Sequence, residues 1–300
     1  MSHLPAPTPL QLIRDPMIAA QGVELWLKRD DLTHPEIQGN KWRKLRYNLV
    51  EARQEGHDTL LTFGGVYSNH IAATAAAGRL FGFKTIGIIR GEPTDTPTDT
   101  LLTAARHGMR ILWMDRSQYR HKDDPDSLES LRVQLGRHYH IPEGGTNILA
   151  LPGVIEMLAE IKEDYDYICT ASGTGGTLAG IVAGLYGKRK AIGFSALKGK
   201  DTLTPTITQL VSDYTGQTFD NWHITSDYHC GGYARVTPEL IDFIKQFKLD
   251  HLVQLEPVYT GKMLMGLYDM ISKGYFPRGT RIIAVHTGGL QGLCGYKEWF

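Results

Sequence analysis

Lys41, in the run Gly39-Asn40-Lys41-Trp42-Arg43-Lys44-Leu45, is a lysine set where a surface lysine is not expected. Leu45 and Leu49 follow at i+4 and i+8, so a helix here puts Lys41 on the inward stripe and directs Arg43, Lys44 and Arg46 elsewhere. Burial disfavours an ammonium and lowers its pKa, giving a neutral amine that can form a Schiff base with an aldehyde. The competing reading is a snorkelling lysine whose stem covers an apolar edge. A second group of residues, Ser172-Gly173-Thr174-Gly175-Gly176-Thr177, crowds hydroxyls and backbone N–H groups at the start of a helix, which suits a dianionic phosphate. It contains no lysine, so it is no nucleotide-hydrolysing P-loop. Leu178 occupies the third glycine position of a dinucleotide fingerprint, and no acidic residue ends the next strand, Ile192 to Ser195, to hold a ribose. The third group, Ser68-Asn69-His70, opens another helix. Ser68 or Asn69 serves there as an N-cap, or Asn69 bonds a phenolate oxygen while Ser68 meets a substrate carboxylate or carries a proton.

Such groups need a frame, and several segments repeat one order: a short apolar run, a Gly/Ser/Thr/Asn turn, then a helix. Thr59 to Phe63 leads through Gly64-Gly65-Val66-Tyr67-Ser68-Asn69-His70 into a helix from about Ile71 to Leu80, and Thr85 to Ile89 follows as a strand. Tyr167-Ile168-Cys169 runs into the Ser172 turn and a helical face of Leu178, Ile181, Val182 and Leu185, while Arg281 to Val285 ends at His286-Thr287-Gly288-Gly289. Strands alternating with helices imply an α/β fold of parallel sheets covered on both sides, with ligands at the carboxyl ends of the strands. The polar stretch Arg116 to Asp126 and the turn-rich Pro142 to Asn147 read as an excursion and return between two compact units.

At 300 residues, 42% hydrophobic, the chain is long enough for two domains. A formal net charge of zero without long charged runs speaks against a nucleic-acid partner and for a small, near-neutral ligand. Met1 to Arg14 carries no basic segment leading into an apolar one and no window reaches membrane-spanning length, so a cytoplasmic protein with no membrane association is expected. Cys169, Cys230 and Cys294 are odd in number and far apart, which argues against a disulfide framework and offers no metal-ligand spacing.

Five runs together carry a family resemblance: Leu27-Lys28-Arg29-Asp30-Asp31-Leu32, Gly39-Asn40-Lys41-x-Arg43-Lys44-Leu45, Gly64-Gly65-x-x-Ser68-Asn69-His70, Pro257-Val258-Tyr259-Thr260-Gly261-Lys262 and His286-Thr287-Gly288-Gly289. In order, over nearly the whole chain, they resemble the D-cysteine desulfhydrase and 1-aminocyclopropane-1-carboxylate (ACC) deaminase family. These are pyridoxal 5′-phosphate (PLP) enzymes of the tryptophan-synthase-β-like class, fold type II. The resemblance implies two open twisted parallel-sheet domains, 1–43 with 154–300 and 44–153, an active site in the cleft between them, and a homodimer. It implies that Lys41 holds PLP, that Asn69 contacts the 3′-oxygen, and that Ser172 to Thr177 hold the phosphate. Ser68, Asn69 and His70 then face the substrate, and Tyr233 and Tyr259 match two active-site tyrosines; on sequence alone each is a half-buried aromatic with a satisfied hydroxyl.

The ring-nitrogen partner separates two activities. ACC deaminases of this resemblance carry Glu directly after the matching tyrosine, where this chain has Thr260, and lack a Thr at the position of Thr287. A carboxylate deepens the electron sink that ring opening demands, whereas a hydroxyl suffices to expel a thiolate. The expected activity is therefore β-elimination from D-cysteine or a related D-amino acid, giving pyruvate, ammonia and sulfide. ACC ring opening is the alternative, and a PLP carrier or amino-acid sensor without turnover the third. His229 and Cys230 stand near Tyr233 without an assigned role; Cys230 is inert packing or reshapes the pocket.

Overall fold

The computed structural model describes residues 7–199 and 201–300. Its strands are β1 (Leu10–Ile13), β2 (Glu24–Lys28), β3 (Thr59–Gly64), β4 (Lys84–Arg90), β5 (Met109–Met114), β6 (Tyr139–Ile141), β7 (Tyr167–Ser172), β8 (Lys190–Ser195), β9 (Trp222–Thr225) and β10 (Arg281–Val285). The helices before the second half of the chain are α1 (Pro16–Ala20), α2 (Asn40–Gln54), α3 (Asn69–Phe81), α4 (Asp99–Arg106), α5 (Arg116–Tyr119) and α6 (Pro125–Leu135). They are followed by α7 (Ala150–Ala159), α8 (Gly176–Leu185), α9 (Leu203–Thr215), α10 (Pro238–His251) and α11 (Thr260–Ser272).

Two sheets result, one of six strands in the order β1-β2-β10-β7-β8-β9 and one of four in the order β5-β4-β3-β6. All pairs are parallel except the antiparallel edge β1–β2. The strand sequences explain this. In β4 every residue between Lys84 and Arg90 is buried, the continuous apolar run of a strand covered on both faces. On β3, Leu60 packs with Leu45, Leu49 and Ala77 on one side, while Leu61 and Phe63 pack with Ile86, Ile88, Tyr119 and Leu131 on the other. Two further apolar clusters cover the faces of the larger sheet.

Both sheets reverse direction of growth beside the strands that carry the motifs. β3 lies between β4 and β6, and β7 between β8 and β10, so the loops after β3, β6, β7 and β10 open where neighbouring connections diverge. This is where an open α/β sheet leaves a crevice for a ligand.

The sequence expectation of a polar excursion at 116–126 is corrected. Asp115 accepts from Ser117 and Gln118 N–H and starts α5, and with α6 this segment forms the crossover from β5 to β6. Its polar residues cover the outer side while Tyr119 and Leu131 anchor it to the four-stranded sheet. The strand at Tyr167 also runs further than expected, to Ser172, because Thr170, Ala171 and Ser172 pair with Gly193, Phe194 and Ser195.

A buried ionic network ties these layers together. Arg43 of α2 donates to Asp30 Oδ1 (3.0 Å) and to both oxygens of Glu160 (2.5 and 2.9 Å) at the end of α7, and Lys28 of β2 donates to Glu160 Oε2 (2.6 Å). Thr8 Oγ1 donates to the second charge of the cluster, Asp30 Oδ1, at 2.7 Å. Among the described residues no helix is long and apolar enough to cross a membrane, and no cluster of His, Cys, Asp and Glu could hold a metal ion.

Candidate active site

Helix α2 begins directly after Gly39, whose φ of 60° suits glycine, and a Cβ there would lie 1.9 Å from the Thr287 carbonyl oxygen. That close approach sets Lys41, on the first turn, beside the loop after β10. Leu45 and Leu49 are fully buried, as their spacing predicts. Burial lowers the Lys41 amine from its ordinary value to about 8.

Arg43 and Lys44 do not point away, contrary to the sequence reading. Arg43 enters the ionic network, and Lys44, 1% exposed, extends its amine to Thr146 Oγ1 at 2.8 Å and Thr174 Oγ1 at 3.5 Å. Lys41 and Lys44, at i and i+3, both line the cavity that holds the glycine loop, whereas Asn48 at i+7 donates to Asn147 Oδ1 (3.2 Å). The glycine loop that lacks a lysine in its own sequence therefore receives one from α2. Burial, and then the charge of Lys41, hold the Lys44 amine well below its ordinary pKa.

The cup itself follows β7. Gly175, at φ 83°, precedes α8, whose first N–H groups have no side-chain cap, and the Ser172 hydroxyl is buried without a partner. A Cβ on Gly176 would lie 2.8 Å from Thr146 Oγ1 and 2.9 Å from Lys44 Nζ; one on Gly173 would lie 2.9 Å from the Tyr259 ring. Asn40 Nδ2 donates to Thr177 Oγ1 at 2.9 Å, fastening α2 to the loop.

Across the cavity, Ser68 is the N-cap of α3, its Oγ accepting from Ile71 N–H at 3.3 Å. Asn69 Oδ1 accepts from Gln291 Nε2, which belongs to the C-terminal segment. His70 is buried, and its tautomer follows from its neighbour: the Thr62 hydroxyl donates to the Ile141 carbonyl (2.8 Å), so it accepts from His70 Nε2–H (2.8 Å). The lone pair on His70 Nδ1 is left buried and unpaired. Burial, with Lys41 and Lys44 nearby, lowers the His70 pKa and keeps the ring neutral.

Tyr259 and Tyr233 meet edge to face with ring centroids 6.1 Å apart, and burial raises both hydroxyl pKa values, that of Tyr259 well above the ordinary. Glu256, fully buried, accepts N–H bonds from Val258 (2.7 Å), Tyr259 (2.8 Å) and Thr260 (2.6 Å), and so fixes the start of α11. One cavity of about 320 Å³ joins Lys41, Lys44, Ser68, Asn69, His70, the whole of Ser172 to Thr177, Tyr233, Tyr259 and Thr287. Thr260 departs from expectation. It does not line this cavity, and its hydroxyl stands behind Tyr259, 3.2 Å from Glu256 Oε1. His229 and Cys230 do not line it either: His229 Nδ1 accepts from Gly231 N–H (2.9 Å), and Cys230 packs against the core of the larger sheet.

Lys44, Thr146, Glu256 and Gln291 were missed by sequence reasoning. Lys44 and Gly39 lie within a quoted motif, but their neighbours are supplied by segments more than a hundred residues away.

A family model described as "Pyridoxal-phosphate dependent enzyme" matches residues 1–288. The chain belongs to that family. Among its relatives are the "Bifunctional D-cysteine desulfhydrase/1-aminocyclopropane-1-carboxylate deaminase, mitochondrial" of Arabidopsis thaliana and the "D-cysteine desulfhydrase" of Salmonella typhimurium. The first is 33% identical, over 98% of this chain and 78% of the relative, and the second 32%, over 99% and 95%. A crystal structure described as an "ACC deaminase homologue" superposes with a TM-score of 0.87 at 29% identity, over 98% of this chain and 93% of that one.

The residues present fit the PLP cofactor of the family. The uncapped N-terminus of α8, the partnerless Ser172 hydroxyl and the Lys44 amine converge as an anion site, and Lys41 brings an amine of lowered pKa into the same cavity.

Proposed function

We propose that this PLP enzyme is a lyase that removes sulfide from D-cysteine, or a thiol from a related D-amino acid, leaving pyruvate and ammonia. The observation that carries the proposal is the convergence, in one cavity, of the Lys41 amine, the lysine-backed glycine loop and the amino end of α3. The names of the Salmonella typhimurium and Arabidopsis thaliana relatives support the substrate.

In this reading Ser172 to Thr177 and Lys44 hold the cofactor phosphate, Lys41 its aldehyde carbon, Asn69 its ring oxygen and Thr287 its nitrogen. Bound there, the cofactor supplies the electron sink that makes a Cα proton acidic. The substrate carboxylate takes the N-terminus of α3, where Ser68, Asn69 and His70 stand and the helix dipole favours an anion. Lys41, with an amine pKa of about 8, removes the Cα proton. The Cα–Cβ double bond forms as the Cβ–S bond breaks with its electron pair on sulfur. Tyr259, kept protonated by burial, donates to that sulfur, with Tyr233 against its ring. The enamine released takes up water to give pyruvate and ammonia.

ACC ring opening is the second reading, favoured by one observation: the Glu256 carboxylate backs the Thr260 hydroxyl at 3.2 Å, so a carboxylate is held close to the place where ACC deaminases carry one. We further propose a homodimer acting in the cytoplasm on a free amino acid, with domains 1–43 with 154–300 and 44–153, a division the distribution of strands between the two sheets supports.

The test is a panel of D- and L-amino acids and ACC, read by the cofactor absorbance band and by keto-acid formation. Pyruvate from D-cysteine is the expected result, with Lys41→Ala losing both the band and turnover. Release of 2-oxobutanoate from ACC alone would favour the second reading. A band that no amino acid shifts would reject both.

A further inference from the structure

The cavity has one wall that this chemistry does not use. Arg90 ends β4 at the solvent-exposed rim of the same cavity as Lys41, Tyr233 and Tyr259, and among the described residues its side chain has no carboxylate within 4.0 Å and no hydrogen-bond partner. Its guanidinium is placed by its neighbours. The Cζ lies 5.8 Å from the Tyr119 ring, and Nη2 is 3.9 Å from where a Cβ on Gly65 would stand, in the loop that leads to Ser68. A planar cation without a partner, on a cavity wall beside a substrate loop, is built to take an anion in two parallel hydrogen bonds.

That anion is not the α-carboxylate, which the lyase reading seats at the amino end of α3, nor the cofactor phosphate, which has Lys44 and the α8 N-terminus. It belongs to the substrate's side chain. Glu143, from the turn after β6, lies on the same cavity and is balanced by Lys122, 3.4 Å away. A neighbouring carboxylate penalises a dianion more than a monoanion, so a carboxylate suits this rim better than a phosphate.

Resting on the lyase reading above, we infer that Arg90 selects D-amino acids whose β-sulfur substituent ends in a carboxylate. Elimination from such a substrate balances as it does for D-cysteine: Cα loses its proton, the Cβ–S bond breaks with the pair on sulfur, and the carboxylate-bearing thiol leaves in place of sulfide.

The experiment compares S-carboxymethyl-D-cysteine with uncharged S-methyl-D-cysteine in the wild-type holoenzyme and in Arg90→Gln and Arg90→Lys. For the charged substrate, Arg90→Gln is expected to lower kcat/KM by about tenfold to a hundredfold, chiefly through KM, as losing a charge-assisted hydrogen bond implies. Arg90→Lys recovers part of the loss, and the uncharged substrate moves less than about threefold. Binding is read independently of turnover with D-2-aminoadipate and D-norvaline, which match the two substrates in shape but carry no leaving group; their half-saturating concentrations are followed by the cofactor band. Equal losses for charged and uncharged compounds, or no loss for either, would overturn the role of Arg90 while leaving the lyase reading intact. Failure of every one of these compounds on a wild-type enzyme that still forms pyruvate from D-cysteine would overturn this inference alone; failure on D-cysteine as well would overturn the lyase reading and this inference with it.

Discussion

An amine attacks an aldehyde only when unprotonated, so the depressed pKa of Lys41 is a statement about rate. The neutral fraction grows as pH rises through the pKa. Colour formation on adding PLP to the apoprotein should therefore accelerate from about pH 6 and level off above a midpoint of about 8. Stopped-flow absorbance across that range checks it, and a midpoint above 10, where an ordinary lysine titrates, would show the amine to be solvated. Lys41 was legible because its partners Leu45 and Leu49 are local and apolar. Lys44 was not: it shares the helix but faces a polar wall, and Thr146 and Thr174, its partners, come from segments 102 and 130 residues on. The tautomer of His70 is legible only once Thr62 is seen to spend its proton on Ile141.

At the scale of elements, the glycine turns were readable because each lies between an apolar run and a helical stripe, and β3, β4, β8, β10, α3 and α8 appear where those patterns place them, while β7 starts there and runs on to Ser172. Short edge strands such as β1 and β9 and the polar helices α5 and α6 were not, since their amphipathic pattern is too brief to outweigh their composition. What no pattern reveals is how closely two elements approach, and Gly39 is the sharpest case. Its replacement by alanine would force a Cβ to within 1.9 Å of the Thr287 carbonyl oxygen at a φ of 60°, so α2 or the loop after β10 must shift. The backbone strain alone costs about 1–3 kcal/mol. For a chain of this size each kcal/mol lowers the melting temperature by about 1.6 °C. Gly39→Ala should thus lose several degrees, and its cofactor affinity should fall as well because Lys41 and Thr287 move apart. Gly82→Ala is the control, with φ 70° but no atom within 4 Å of the added Cβ. Equal melting losses in the two variants would mean that the contact with Thr287 is not tight.

For the molecule as a whole, the ionic network around Glu160 joins β2, α2 and α7, and so ties the helix that carries Lys41 and Lys44 to the larger sheet. Burial pushes the Glu160 carboxyl up, but its hydrogen bonds from Arg43 and Lys28 outweigh that and hold its pKa below the ordinary 4.5. A carboxylate with a depressed folded pKa stabilises the fold fully above its unfolded pKa and loses that contribution as pH falls through the folded one. Near pH 7, Glu160→Gln leaves Lys28 and Arg43 short of an anion, since only Asp30 remains to Arg43. Breaking a buried pair costs about 3–5 kcal/mol, and the 15% exposure of the Glu160 side chain places this case toward the lower end. The gap in melting temperature between wild type and Glu160→Gln should therefore be widest at pH 6–7 and shrink below about 4.5, as the native carboxyl takes up the proton that makes it resemble an amide. Melting curves of the two proteins between about pH 3 and 7 measure the gap directly. If it stays constant over that range, the network holds α2 by shape and packing, and the charge on Glu160 contributes nothing to seating Lys41.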